Sequence, residues 1–223
     1  MVDRLDHDHA SAGRDLLLAL QSLHHRNAAV LPPSIDADPR FGQPLALIRQ
    51  AMERQAAGGP ARRYQRWSDL HNHLRFAWVP AGRLLLAIHS EATIAEAAMD
   101  ATTIAIGLTA LLQGAPQRLA GDGIVDLPVQ WFPPGTDIEA AFGARGRNKA
   151  LEAAYAAGLS RLDELLLVGE SAAAAVHNAE LRHGMLDALF LMRRLRRRMA
   201  RRPPTRGAIG ISRLDRLLLR WRR

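Results

Sequence analysis

The sequence contains no cysteine. That excludes disulfides, cysteine-ligated zinc and a thiol nucleophile, and it suits a reducing compartment. Lysine occurs once, at Lys149, so the basic charge is almost all arginine. Aromatic residues make up only 5% of the chain, so a core must be built from Leu, Ala, Ile and Val. Alternating β-branched runs are missing, which leaves little room for a sheet. No continuous apolar run approaches the roughly 20 residues of a membrane-spanning helix. The longest, over residues 76–88, is broken by Pro80, Gly82 and Arg83. The start of the chain lacks the basic residues and apolar stretch of a signal peptide. No glycine-rich phosphate loop occurs either, since Gly58-Gly59-Pro60 reads as a helix stop.

What is present suits one helical domain. The chain has 223 residues, of which 48% are hydrophobic, enough for a sizeable core and against a disordered chain. The formal net charge is +8, from 30 basic and 22 acidic residues, but it is unevenly spread. Residues 193–223 hold 13 Arg and the single acid Asp215, a net of +12; the remainder, with 17 basic and 21 acidic residues, carries −4. A basic chain suggests a polyanionic partner, and here that suggestion belongs to the last 31 residues.

Apolar spacing and stop signals predict helices over residues 13–25, 41–55, 69–78, 80–88, 93–113, 147–169, 171–202 and 211–221, with a short one at 137–142. Ser68 is the expected N-cap of the third, and Pro80 the start of the fourth. The 93–113 helix is almost uncharged and is expected to be buried on all sides, with Leu85, Ile104, Ile106, Leu108, Leu111 and Leu112 at the centre of the bundle. The fold class is all-α. Residues 1–12 read as a flexible acidic and His-containing N-terminus, 13–202 as the helical domain, and 203–223 as its basic C-terminal helix.

Few residues show catalytic spacing. Asp3, Asp6, His7, Asp8 and His9 lie together but have no helical frame to hold a metal. His71-Asn72-His73 lacks the hairpin of a nuclease site, and Ser90 and Ser171 have no base at the spacing of a triad. In residues 189–223 an apolar series including Leu191, Met192, Leu195, Met199 and Trp221 alternates with Arg193, Arg194, Arg196, Arg197 and Arg198. This fits either a last core helix with a solvated Arg face or attachment to an anionic membrane. A nucleic-acid partner is disfavoured by the acidic body and by the lack of aromatic residues among Arg193–Arg206.

One set of motifs goes further. Arg63-Tyr64 with Asp69-Leu70, then Ala77-Trp78-Val79-Pro80-Ala81-Gly82-Arg83-Leu84, resembles the RY…DL and A-x-P-V-G-R-L elements of the squalene/phytoene synthase family. Asp100-Ala101-Thr102-Thr103 stands where that family enters its second aspartate-rich helix. Gly123-Ile124-Val125-Asp126-Leu127-Pro128 is similar to its G-R-x-Y-L-P loop, and Ile211-Ser212-Arg213-Leu214-Asp215-Arg216-Leu217 to its V-S-R-x-R-K-L ending. The resemblance covers roughly residues 60–223 and implies the all-helical isoprenoid synthase bundle, shortened at its N-terminus.

In this family, aspartate-rich helices hold Mg²⁺ against the diphosphates of two prenyl substrates, because ionising an allylic diphosphate requires its leaving-group charge to be neutralised. The chain departs from that pattern. Aligned on Asp100, the positions of the family's Gln, Asn and two Asp are Gly107, Ala110, Gly114 and Arg118, and no acid occurs over residues 101–121. The loop Arg is Ile124, the loop Tyr is Asp126, and the helix Tyr is His73. Asp3-Arg4-Leu5-Asp6 keeps only the D-x-x-D spacing of the first motif. The resemblance with these losses implies a degenerate synthase with no cofactor, binding an isoprenoid or lipid or serving an active prenyl synthase or a respiratory-complex assembly. It would be cytoplasmic and peripheral at the inner face of the membrane, or on the matrix side in a mitochondrion. Arg63, Tyr64 and Arg83 are the substrate-binding candidates. The alternative is an active transferase of farnesyl or geranylgeranyl groups, with Mg²⁺ and Asp3, Asp6 and His73 as catalytic candidates.

Overall fold

A computed structural model describes residues 42, 45–47, 50, 64–91, 93–123, 125–144, 147–201, 212 and 214. Among the described residues five α-helices have both ends given: α1 (Trp67–Ile88), α2 (Glu96–Asp122), α3 (Ile138–Gly143), α4 (Lys149–Ala172) and α5 (Ala179–Arg201), with short 3-10 turns before α2, before α3 and after α4. No strand occurs among the described residues. The all-α expectation holds. The predicted helices at 13–25 and 211–221 and the segments 1–12 and 203–223 lie outside the described residues, apart from Ser212 and Leu214.

Helix α1 runs as one element where the sequence suggested two. Pro80 removes one donor from its interior, but it is buried together with Leu74, Val79, Ala81, Gly82 and Leu84, so tertiary packing carries the helix across it. The N-cap is Arg66 rather than Ser68: its N–H donates to the Asp69 carboxylate at 2.9 Å, one half of a capping box.

Helix α2 extends nine residues beyond its expected end at Gln113, passing Pro116, and stops at Gly123, whose φ of 66° gives the left-handed cap that glycine adopts freely. The continuation has a local cause. Proline at 116 leaves the Leu112 carbonyl without its i+4 donor. The buried Tyr155 hydroxyl, from α4, donates to that carbonyl at 2.9 Å instead. Burial pushes the Tyr155 pKa up, with Arg118 opposing only weakly, so the phenol remains a donor.

Helix α2 lies at the centre, packed against α1, α4 and α5. Ile104, Leu108, Leu111 and Leu112 are buried as expected. Leu85 and Ile106 are only half-buried, because α1 turns Leu84 and Leu86 inward and α2 turns Ala105 and Leu108 inward. By length and composition, Thr93–Gly121 is apolar enough to cross a membrane, with a mean hydropathy of 1.4 over its best window. This corrects the reading that no stretch approaches that length; Ile, Leu and Ala make up the hydropathy, interrupted by Thr, Gly and Gln so that no continuous apolar run forms. The helix is the core helix of the bundle, 67% of that window being buried.

The predicted helix over 171–202 is two elements. Asn178 ends the break, accepting the Leu181 N–H at 2.9 Å and starting α5. Asp137 and Asn148 cap α3 and α4 in the same way.

Candidate active-site face

The α2 face singled out by its register can be followed residue by residue. Gly107 is buried beneath the indole of Trp78 from α1: a Cβ placed at 107 would stand 2.5 Å from Trp78 Cδ1. The ring therefore occupies the space where a longer side chain at 107 would begin. Ala110 and Gly114 offer no donor atom. Arg118 is folded back along the helix. It donates to the Leu111 carbonyl at 3.1 Å and is ion-paired with Asp126, whose side chain is only 15% exposed. Thus two of the departures from the family pattern, Arg118 and Asp126, are partners of each other.

This arrangement does not suit a divalent cation. Mg²⁺ takes hard oxygen ligands, whereas the face presents a glycine under an indole, an alanine, a second glycine and a guanidinium whose counter-charge is already adjacent. Among the described residues, no three His, Asp or Glu side chains come together as metal ligands. The fold family's Mg²⁺ does not fit the residues present on this helix.

The remaining candidates fall into two groups. Tyr64 and His73 meet at the start of α1, their rings 5.6 Å apart and tilted, with His73 exposed to solvent. Backbone bonds from Val129 and Gln130 to the Tyr64 and Gln65 carbonyls tie this segment to the loop after α2. Trp67 stacks on Trp131 and touches His71. Arg83 lies ten residues further along α1 than His73, about 15 Å along the axis. It is paired with Asp100 at 2.9 Å and with Glu96 at 3.1 Å, so it joins α1 to the start of α2. Asp3, Asp6, Arg63 and Trp221 lie outside the described residues.

Beside Arg83 an open groove of about 380 Å³ is lined by Leu47, Phe76, Val79 and Pro80, with Asn72, Arg75 and Arg83 as its polar members. The Arg83 charge is already balanced by Asp100 and Glu96, so what the groove offers a ligand is its apolar wall with Arg75 and Asn72 at its margin.

Of the C-terminal arginines, Arg193 bonds Glu170 at 2.6 Å and Arg196 bonds Asp163 at 2.6 Å, both across to α4. Arg194 sits over the Phe190 ring, and Arg198 donates to the Ser212 hydroxyl at 3.1 Å. Arg197 is exposed.

Sequence reasoning missed the parts played by Trp78, Tyr155 and Asp126. A signal for Tyr155 existed: apolar helical spacing continues through Pro116, and a helix that does so needs an outside donor for the carbonyl at 112.

Helical order and packing define an all-α bundle built around α2. The chain is similar to the solved structure of squalene synthase HpnC from Alicyclobacillus acidocaldarius, with a TM-score of 0.61 and 20% identity over 72% of this chain and 60% of that one. At that identity the likeness establishes the fold, and the chain spans 60% of the length of the synthase it matches. No family model matches the sequence, and no curated protein sequence does.

Proposed function

We propose that this chain is a squalene/phytoene synthase-like protein that has lost prenyl transfer and acts as an isoprenoid- or lipid-binding accessory protein at the membrane surface. One observation carries the reading. The α2 face that would present metal ligands is closed by Trp78 over Gly107 and by the Arg118–Asp126 pair, so it offers no carboxylates to hold the Mg²⁺ that would neutralise a departing diphosphate. The groove beside Arg75 and Arg83 supports the binding role. An active prenyl synthase or a respiratory-complex assembly is the kind of protein it would serve, on the cytoplasmic or matrix side.

The test is incubation with Mg²⁺ and farnesyl or geranylgeranyl diphosphate, followed by product analysis. The expected outcome is no squalene, phytoene or cyclopropyl diphosphate intermediate above a no-protein control. Product above that control overturns the reading. Gly114→Asp with Arg118→Asp is expected to raise Mg²⁺ affinity, since it returns two carboxylates to adjacent turns of one face. An unchanged affinity would count against the register assigned to α2.

A further inference from the structure

Helix α4 buries one face in the bundle, through Leu151, Tyr155, Leu162 and Leu166 among others, and its opposite face is exposed. That outward face has three parts in chain order. Its first turns are small: Ala153 and Ala156 are exposed and Ala157 half-buried. Its last turns are large and apolar: Leu167 is 64% and Val168 47% exposed. Between them lies the ion pair of Arg161 with Glu164, 2.8 Å long and open to solvent. Ser160 and Ser171 complete the stripe, which runs about 27 Å from 153 to 171. The other charges of this span, Asp163 and Glu170, point to α5, where Arg196 and Arg193 hold them. The outward face therefore carries no net charge on a basic protein.

We infer that this face is where a second copy of the chain docks, α4 against α4, antiparallel about a two-fold axis at the level of residue 162. The order of the three parts carries the inference. A two-fold interface brings the same patch to itself in reverse. Residues whose numbers sum to about 324 then meet. Leu167 and Val168 of one copy fall on Ala157 and Ala156 of the other, large side chains into the gaps left by small ones, as ridges enter grooves between packed helices. Ser171 falls on Ala153. At the centre Arg161 lies beside the Glu164 of the second copy, and the two intrahelical pairs become a ring of four alternating charges. No charge loses its partner on docking. A parallel arrangement would set Leu167 on Leu167, Ala156 on Ala156 and like charge on like. An anionic bilayer fits the face worse, because Glu164 stands in its middle and no basic residue but Arg161 adjoins it. One helix pair of this length makes a modest interface, of the size class of reversible association. The inference goes beyond the proposed loss of prenyl transfer and does not rest on it.

The experiment measures the mass of the full chain by light scattering over a dilution series. The parent is expected to pass from monomer to dimer as concentration rises. Leu167→Glu is expected to weaken the dimer on the order of tenfold or more, with thermal unfolding unchanged because the site is exposed. Arg161→Glu alone and Glu164→Arg alone should each dissociate it, since like charges then face each other. The two single variants mixed together should associate again, and so should the double swap. Direction is read by cross-linking. The chain has no cysteine, so Ala153→Cys and Ser171→Cys each introduce one thiol. With a short bismaleimide the two variants should join to each other when mixed, and neither to itself. A folded parent that stays monomeric throughout overturns the inference. If that monomer is also destabilised by Leu167→Glu, another segment of the chain covers the face; if it instead binds anionic vesicles through Leu167, lipid does. A dimer unaffected by Leu167→Glu overturns the inference as well, as does a cross-link of either cysteine variant to itself.

Discussion

The α1–α2 and α4–α5 interfaces are held together differently. Between α1 and α2 the fit is one of shape. Gly82 admits Thr103 and Met99 so closely that a Cβ would meet Thr103 Cγ2 at 2.6 Å, and Gly107 admits the Trp78 ring. Charge enters only at the margin, through Arg83 with Asp100 and Glu96. Between α4 and α5 an apolar seam is flanked by two ion pairs, and α5 begins on a carboxylate from a distant loop: Glu91 accepts the backbone N–H groups of His177, at 3.0 Å, and of Asn178. An interface held by shape does not depend on ligand-bearing side chains on its other faces. That explains how α2 keeps the fold with Gly107, Ala110, Gly114 and Arg118 in its register. An interface held partly by charge uses arginines structurally, so the basic tail is not all available to a partner.

The largest effect should come from removing volume from the core of α2, the helix on which both interfaces depend. Leu108 is fully buried in the middle of α2. Leu108→Ala is expected to cost about 2–5 kcal/mol in denaturant unfolding. A loss below about 0.5 kcal/mol, the range of surface substitutions, would place α2 at the periphery and end the comparison.

Adding volume at the α1–α2 interface comes next. Gly107→Gln drives a Cβ into the indole and is expected to cost about 1–3 kcal/mol, as overpacking does. Combined with Trp78→Ala, the total should fall short of the sum of the two single losses, because each change makes room for the other. A simple sum would show that Trp78 does not close the face at 107.

The two interfaces were unequally legible in the sequence. Helix α2 was readable because its composition is nearly uncharged and its Leu and Ile spacing is helical. The register on Asp100 places Gly107, Gly114 and Arg118 on one face of that helix. What one helix's pattern could not give was the far side of each contact. Trp78 over Gly107, Asp126 against Arg118 and Tyr155 on the Leu112 carbonyl join positions 8–43 residues apart. The break before α5 was hidden because Ala-rich residues 171–176 suit a helix, and its terminator is the buried Glu91, on another loop. Arg193 and Arg196 looked like members of one basic face because their partners, Glu170 and Asp163, belong to a different helix.

Glu91 allows the charge-held interface to be tested by pH. Its side chain is 2% exposed. Burial alone would raise its pKa, but the Asn178 and His177 N–H bonds and the His177 ring outweigh it and hold the carboxylate below its usual value. A carboxylate depressed by folding stabilises the protein above its unfolded value, and that contribution is lost as pH falls through the folded one. His71 adds to the acid loss. Burial, then the charge of Arg75, lowers its pKa, so the fold favours the neutral ring and protonation opposes folding. Glu91→Gln is expected to cost about 1 kcal/mol at neutral pH, in the range of lost N-caps, and to flatten the fall in stability between neutral and acidic pH. An unchanged acid limb would remove Glu91 from the account.

The smallest effects concern the ion pairs, and they sharpen the comparison most. Arg193 and Arg196 and their acids are each about a third or more exposed, so solvent screens them, and each pair is expected to contribute only about 0.2–1 kcal/mol. Arg193→Gln and Arg196→Gln should therefore lower the unfolding free energy slightly at low salt and less at high salt, where the Debye length is short. Arg197→Gln, at an exposed position of α5, should change it by less than about 0.5 kcal/mol. Binding to vesicles of anionic phospholipid, which tests the membrane role proposed above, should rank the same residues in the opposite order, with Arg197 above Arg193, because a guanidinium bound to Glu170 has its charge balanced before a membrane arrives. Unfolding in two salt concentrations and co-sedimentation with vesicles in one give both rankings from the same three proteins. If Arg193→Gln weakens vesicle binding more than Arg197→Gln while the fold is unchanged, the two faces of α5 are not distinct, and the separation of structural from surface arginines fails.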